Sequence, residues 1–269
     1  MPVEVARLEE QIGSIASECG GVVSVAVRNI ENAGDISLDD DEVISSASII
    51  KVPMLVEAMR QARDGLLSMD QEFGLADDER VRGSGVMRYL HAGTVLTLKD
   101  LLWLMIVVSD NTATNILIDA LGIEQVNSTM RSMGFQKTTL QRRMYDWDAI
   151  EKGLDNVCAA GEIADLLVRI ARKEAAGGEW DEMIVDMLRH QQDTSRLGML
   201  LPEEAKLANK SGSRESIFHD CGIVTTDALR YSIAVFTKDA RSTGDAHWAI
   251  ARISRAVYDH FDSGVHSRS

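Results

Sequence analysis

Apolar residues fall at helical spacing from Val3 to Ser17, with Val5, Leu8, Ile12 and Ile15 on one face, so the chain is predicted to open with an amphipathic helix. Gly20-Gly21 ends it. The pattern then changes to the β-rich run Val22 to Ile30, a turn at Asn32-Ala33-Gly34-Asp35 and a short partner strand, Ile36 to Leu38. Asp39 to Glu42 reads as a solvated acidic turn. Pro53 lacks an N–H and is tolerated only near the start of a helix, which places a helix start close to Ser48, and Asp64-Gly65 marks its stop. Ser68 to Gly93 is polar and interrupted by Gly74, Gly83, Gly85 and Gly93, so an irregular segment with short helices is expected. Thr97-Leu98-Lys99-Asp100 has the form of an N-cap with an acidic first turn, leading into a buried helix from Leu101 to Val108. Ser109-Asp110-Asn111 interrupts the apolar pattern before Ala113 to Leu121 resumes it as another helix.

Further helices are predicted over Ile123 to Met133, Cys158 to Lys173 and Trp180 to Arg189, with the charged stretch Leu140 to Asn156 as a loop. Leu207 to Lys210 reads as an edge strand, Ile217 to Thr225 and Tyr231 to Thr237 as two more strands, and Ala246 to Phe261 as a final helix. This order predicts an α+β fold. An antiparallel sheet is assembled from both ends of the chain, flanked by the N- and C-terminal helices, with an all-helical domain inserted. The expected boundaries are 1–47 and 191–269 for the sheet domain and 48–190 for the helical one. The active site would lie in the cleft between them.

Composition narrows the functional classes. The 269 residues are 45% hydrophobic and 26% charged, which suits a folded globular chain rather than a disordered one. A formal net charge of −14 argues against a nucleic-acid partner, because phosphate neutralisation needs clustered Lys and Arg. No apolar run reaches the roughly 20 residues that span a bilayer, so no membrane partner is expected. Met1 to Gly13 carries Glu4, Glu9 and Glu10 and lacks the pattern of a secretory signal. A cytoplasmic protein is expected from the chain as written, periplasmic or secreted if a leader has been removed. Cys19, Cys158 and Cys221 are odd in number without C-x-x-C spacing, which predicts reduced, buried thiols and no metal site. The composition leaves the oligomeric state open.

Three short motifs carry the candidate chemistry: Ser48-Ile49-Ile50-Lys51, Ser109-Asp110-Asn111 and Lys210-Ser211-Gly212. A serine at a helix N-terminus sits in the positive end of the dipole beside unpaired backbone N–H groups, which stabilise a developing anion. Lys51, one turn later, shares the face of Ser48 and is within reach to act as a base. Ser109-Asp110-Asn111, between two helices, exposes polar side chains at a junction.

In this order, S-x-x-K, S-D-N and K-[ST]-G, the chain resembles the penicillin-recognising serine hydrolases, closest to class A β-lactamases, over nearly its whole length. The resemblance implies a β-lactamase/transpeptidase-like fold and a small-molecule β-lactam, acyl amide or ester as substrate, with no cofactor. It assigns Ser48 as the nucleophile that forms an acyl-enzyme and Lys51 as the group that takes or relays its proton. Ser109 would pass a proton to the leaving nitrogen, and Asn111 would bind the substrate amide. Lys210 would hold positive charge, while Ser211 and Gly212 bind substrate, Ser211 contacting a carboxylate. The N–H groups of Ser48 and Ser213 would form the oxyanion hole, where one donor is typically worth ~3–4 kcal/mol of barrier.

Two departures from the family pattern stand out. The glutamate that activates water for deacylation falls, in the run Leu140 to Asp148, on Met144, and methionine is no base. Asp146, Asp148 or Glu151 would have to replace it, with Asp146 the named candidate. The arginine expected just before the Gly-Ile-Ile strand is replaced by His219-Asp220-Cys221, with Arg214 able to compensate or with His219 and Asp220 simply pinning strand ends. The expected function is β-lactamase-like hydrolysis. The alternatives are a D-alanyl peptidase, amidase or esterase of the same fold, and a penicillin-binding protein or sensor with slow or no deacylation.

Overall fold

The computed structural model describes residues 2–31, 34–227 and 229–266, so Asn32 and Ala33 of the predicted turn lie outside the described residues. Helix α1 (Pro2–Cys19) leads into β1 (Val22–Asn29), β2 (Ile36–Leu38) and β3 (Ile44–Ser45). A 3₁₀ turn, Ala47–Ile50, runs directly into α2 (Lys51–Arg63), with Pro53 in its first turn as its missing N–H demands. The segment predicted to be irregular contains β4 (Glu72–Gly74), which pairs with β5 (Val95–Thr97). Then follow α3 (Leu98–Val107), α4 (Asn111–Leu121), α5 (Ile123–Ser132), α6 (Trp147–Glu151) and β6 (Val157–Cys158). Helices α7 (Ala160–Ala171) and α8 (Gly178–Arg189) precede β7 (Lys206–Arg214), β8 (Ile217–Thr225), β9 (Arg230–Lys238) and α9 (Thr243–His266).

Both ends of the chain meet in one five-stranded antiparallel sheet of order β2-β1-β9-β8-β7. This is the α+β fold expected, with a sheet flanked by the N- and C-terminal helices. The central strand β9 is buried on both faces, which is why Tyr231 to Phe236 reads as an unbroken β-rich run. Its alternate residues feed two cores. Tyr231, Ile233 and Val235 join Val23, Val25 and Val27 of β1 under α1 and α9, where Leu8, Ile12, Ile250 and Ile253 close the layer. Ala234 and Phe236 face the other way, into the core built from α2, α3, α4, α7 and α8.

Helix α3 begins three residues earlier than its apolar run suggests. Thr97 Oγ1 accepts from Asp100 N and the Asp100 carboxylate accepts from Thr97 N, a capping box of the kind worth about 1 kcal/mol. Helix α7 begins at Ala160 rather than Cys158, because Val157 and Cys158 pair with Ser45 and Ile44. That small ladder anchors the residues just before the 3₁₀ turn. All three cysteines are buried free thiols.

Candidate active site

Ser48 is the second residue of the 3₁₀ turn and Lys51 the first of α2, so both stand at the N-terminal end of one continuous helical segment. The turn is held from below by Ser46 N donating to Asn156 O at 2.8 Å and Ile49 N to Ser46 O at 2.9 Å. Ala47, beside the serine, has φ 45°, a left-handed conformation that non-glycine residues adopt only where the surroundings enforce it. The enforcing neighbour is the edge strand β7. A Cβ on Gly212 would stand 3.0 Å from Ser48 N and 3.2 Å from the Ala47 Cβ, so a side chain there would make the turn or the strand give by a few tenths of an ångström.

Lys51 is completely buried. Its Nζ donates to Ser109 O at 2.8 Å, Ser109 Oγ at 3.0 Å and Asn111 Oδ1 at 3.0 Å. These acceptors reach it because the chain between α3 and α4 reverses through Ser109, at φ 54°. Asp110 fixes that reversal: Oδ1 caps α4 at Ala113 N, while Oδ2 accepts from Val86 N and Met87 N. The middle residue of the motif is therefore the brace for the other two. Burial pushes the Lys51 amine well below its ordinary range, the charge of Lys210 adds to this, and Asp110 opposes it. Lys210, also buried, donates to Ser109 Oγ at 3.2 Å and Ser211 O at 2.8 Å, and burial lowers it to about 8 despite the nearby Asp220 carboxylate. Ser109 Oγ thus joins two lysines, one drawn toward neutrality and one largely charged at neutral pH.

Ser48 and Ser109 line a cleft of about 330 Å³ together with Asp193, Ser211, Gly212 and Ser213. Its β7 wall differs from the expectation for a cation. Arg214 points away, donating to Ser45 Oγ at 2.9 Å and Asp155 Oδ2 at 2.7 Å, so it does not compensate. Asp220 lies behind the strand, accepting from Asn209 Nδ2 at 3.0 Å and Leu197 N at 3.1 Å, and burial raises it to about 6. His219 pins β8: Nε2 donates to Ser45 O at 2.8 Å, and Nδ1 accepts from Thr237 N at 3.2 Å. Burial lowers it to about 4 and keeps it neutral. Besides Lys210, the cation by this wall is Arg196, buried, donating to His219 O at 2.7 Å, Gly212 O at 3.1 Å and Ser213 Oγ at 2.5 Å.

The loop from Leu140 to Asn156 is an ordered structure built on side-chain amides. Asn127 bonds both the N and O of Leu140, Asn115 both the N and O of Met144, and Asn156 Oδ1 accepts from the N–H groups of Gln141 and Arg142. Met144 is buried. Asp146 is occupied as the N-cap of α6, accepting from Ala149 N at 3.0 Å, and does not line the cleft with Ser48. Asp148 and Glu151 are exposed on α6.

A family model described as the Beta-lactamase enzyme family matches residues 7–261, most of the chain. The chain belongs to that β-lactamase family. A β-lactamase from Sphaerobacter thermophilus superposes with a TM-score of 0.88 at 29% identity, covering 93% of this chain and 96% of that one. PBP-A, in a mutant form captured as an acyl-enzyme complex with penicillin G, superposes at 0.88 and 24% identity over 96% of this chain and 97% of its own. A stretch of 128 residues is 28% identical to the β-lactamase regulatory protein BlaB of Streptomyces cacaoi; it is 46% of this chain and 41% of that protein. This β-lactamase-family chain is a β-lactamase-like serine hydrolase.

Within this family member, the structure brings Ser48, Lys51, Ser109, Asn111, Lys210, Ser211, Gly212 and Ser213 to one cleft and its floor, and leaves Asp146 and Arg214 outside. Asp193 and Arg196 were missed from the sequence. They lie in the connection Gln192-Asp193-Thr194-Ser195-Arg196 between α8 and β7, which has no periodicity. The available signal was an acid and an arginine three residues apart just upstream of the K-S-G strand.

Proposed function

We propose that this protein is acylated on Ser48 by a β-lactam or related acyl compound and releases the acyl group slowly. The observation that carries the reading is the Lys51 amine, buried and lowered, one turn from Ser48 and bonded to Ser109 Oγ. In its neutral form the amine has two N–H groups and a lone pair, so only two of its three contacts are then donated and Ser109 Oγ–H can donate to the nitrogen instead, the arrangement a general base needs. As Ser48 Oγ bonds the carbonyl carbon, its proton passes to Lys51 and the carbonyl electrons move onto oxygen. The oxyanion is received by the N–H groups of Ser48 and Ser213. The C–N bond then breaks as Ser109 Oγ–H protonates the leaving nitrogen, and Ser109 recovers its proton from Lys51. The charge of Lys210 favours the anionic intermediate.

Release of the ester requires an activated water. Met144 has no basic group, Asp146 is engaged as a helix cap, Asp155 is paired with Arg142 and Arg214, and Asp193, the carboxylate that does line the cleft, is held by Ser211, Ser195 and Arg196. Acylation is therefore better equipped than deacylation. Labelling with a fluorescent penicillin tests the reading: the protein takes up label that persists for hours, and Ser48→Ala takes up none. Undiminished labelling of Ser48→Ala would overturn it.

A further inference from the structure

The cleft wall that the family pattern reserves for a substrate carboxylate carries a carboxylate of the protein itself. Asp193 lines the cleft beside Ser48, and the Ser211 hydroxyl donates to Asp193 Oδ2 at 2.9 Å. Asp193 Oδ1 accepts from Ser195 Oγ at 2.6 Å and Ser195 N at 3.2 Å, and Arg196 Nη2 stands 3.5 Å from Oδ2. Burial works against its charge, but these hydrogen bonds and Arg196 hold its carboxyl below the usual carboxylate range, so it is ionised at neutral pH.

Two consequences follow from hydroxyl chemistry and charge. A serine hydroxyl has one hydrogen. While that hydrogen is given to Asp193, Ser211 Oγ offers the cleft only lone pairs, which suit a donor or a neutral group rather than a carboxylate. Of the two nearby cations, Lys210 is engaged with Ser109 Oγ and Ser211 O, and Arg196 is shared between Asp193 and the acceptors Gly212 O, His219 O and Ser213 Oγ. A substrate carboxylate arriving at Ser211 would have to displace Asp193 from the hydroxyl and sit beside a like charge.

We infer that Asp193 is a specificity-determining residue, a charge filter that favours acyl compounds with a neutral or cationic group at Ser211 over those with a carboxylate there. The inference rests on the reading that Ser48 is acylated from this cleft. The intrinsic preference is the reverse of that expected for a carboxylate-binding K-S-G strand. Carboxylate-bearing β-lactams still react, but below the rate of their uncharged derivatives.

The test compares benzylpenicillin with its methyl ester, reading the rate of acylation of Ser48 by intact mass spectrometry for wild type, Asp193→Asn and Asp193→Glu. Wild type prefers the methyl ester. Asp193→Asn shifts the acid-to-ester ratio toward the acid by at least about tenfold, about 1.4 kcal/mol. Asp193→Glu, which keeps the charge, retains the wild-type preference. A ratio unchanged in Asp193→Asn, or equal slowing of both compounds, would make Asp193 a structural brace and overturn the filter while leaving Ser48 acylation intact. Absence of any Ser48 adduct with either compound in wild type would overturn the reading of Ser48 itself, and the filter with it.

Discussion

Replacing Lys210 with methionine removes a charge from beside Lys51 without emptying the space it fills, and the pH dependence of acylation should report the loss. Both amines reach Ser109 Oγ, Lys51 at 3.0 Å and Lys210 at 3.2 Å, so their nitrogens can be no more than about 6.2 Å apart. At that separation and an effective dielectric of ~20, two unit charges repel by about 2.7 kcal/mol, equivalent to about 2 pH units. The repulsion disfavours protonated Lys51, the form that cannot serve as base. Lys210→Met therefore raises the Lys51 pKa, and the acid limb of the acylation profile moves to higher pH by about 1–2 units, the lower figure allowing for screening. Stopped-flow acylation by a chromogenic cephalosporin, followed on both sides of neutrality, measures the limb. The absolute rate also drops at every pH, because Lys210 favours the anionic intermediate, so the informative quantity is the position of the limb. An unmoved limb, or one shifted to lower pH, would refute the placing of a neutral Lys51 at the centre of the reaction.

The same lysine makes a stability prediction. Its amine is lowered from 10.5 to about 8, so below about pH 8 the folded state buries a charge at a cost of about 3 kcal/mol. Between about 8 and 10.5 the unfolded chain holds more protons than the folded one, and the wild type gains stability as pH rises. Urea unfolding of wild type and Lys210→Met across that window should show the difference between the two curves growing by about 3 kcal/mol, and parallel curves would contradict it. Gly212→Ala places a methyl group 3.0 Å from Ser48 N and shifts β7 against the serine turn by a few tenths of an ångström, so acylation falls by up to about tenfold with little change in melting temperature. Asp146→Ala removes the cap of α6 and costs about 1 kcal/mol in thermal or urea unfolding, but leaves the release rate of the acyl adduct unchanged; a slower release would identify Asp146 as the base after all.

The elements that carry periodic apolar patterns were legible from the chain: the terminal helices, the strands β1, β8 and β9, and helices α3 to α5. The placing of Ser48 beside Lys51 was also legible, because the two are one turn apart whatever the rest of the fold does. Residues placed by long-range packing were not. Nothing in the sequence says that Arg214 turns toward Asp155, or that Arg196, eighteen residues upstream in the chain, comes under β7 to meet Gly212 O. The Leu140 to Asn156 stretch looked structureless because Asn127, Asn115 and Asn156 bond its backbone from outside any repeating pattern. The ladder of β3 with β6 was missed for a related reason: two-residue strands have no period to detect.

Intact mass spectrometry during incubation with excess benzylpenicillin, continued after the free drug is removed and followed by peptide mapping, tests the acyl-enzyme most directly. A single adduct of the penicillin mass on the peptide containing Ser48, persisting for hours after the drug is gone, is the predicted result. No adduct, an adduct on another residue, or release within seconds would contradict the proposed acylation of Ser48 with slow release.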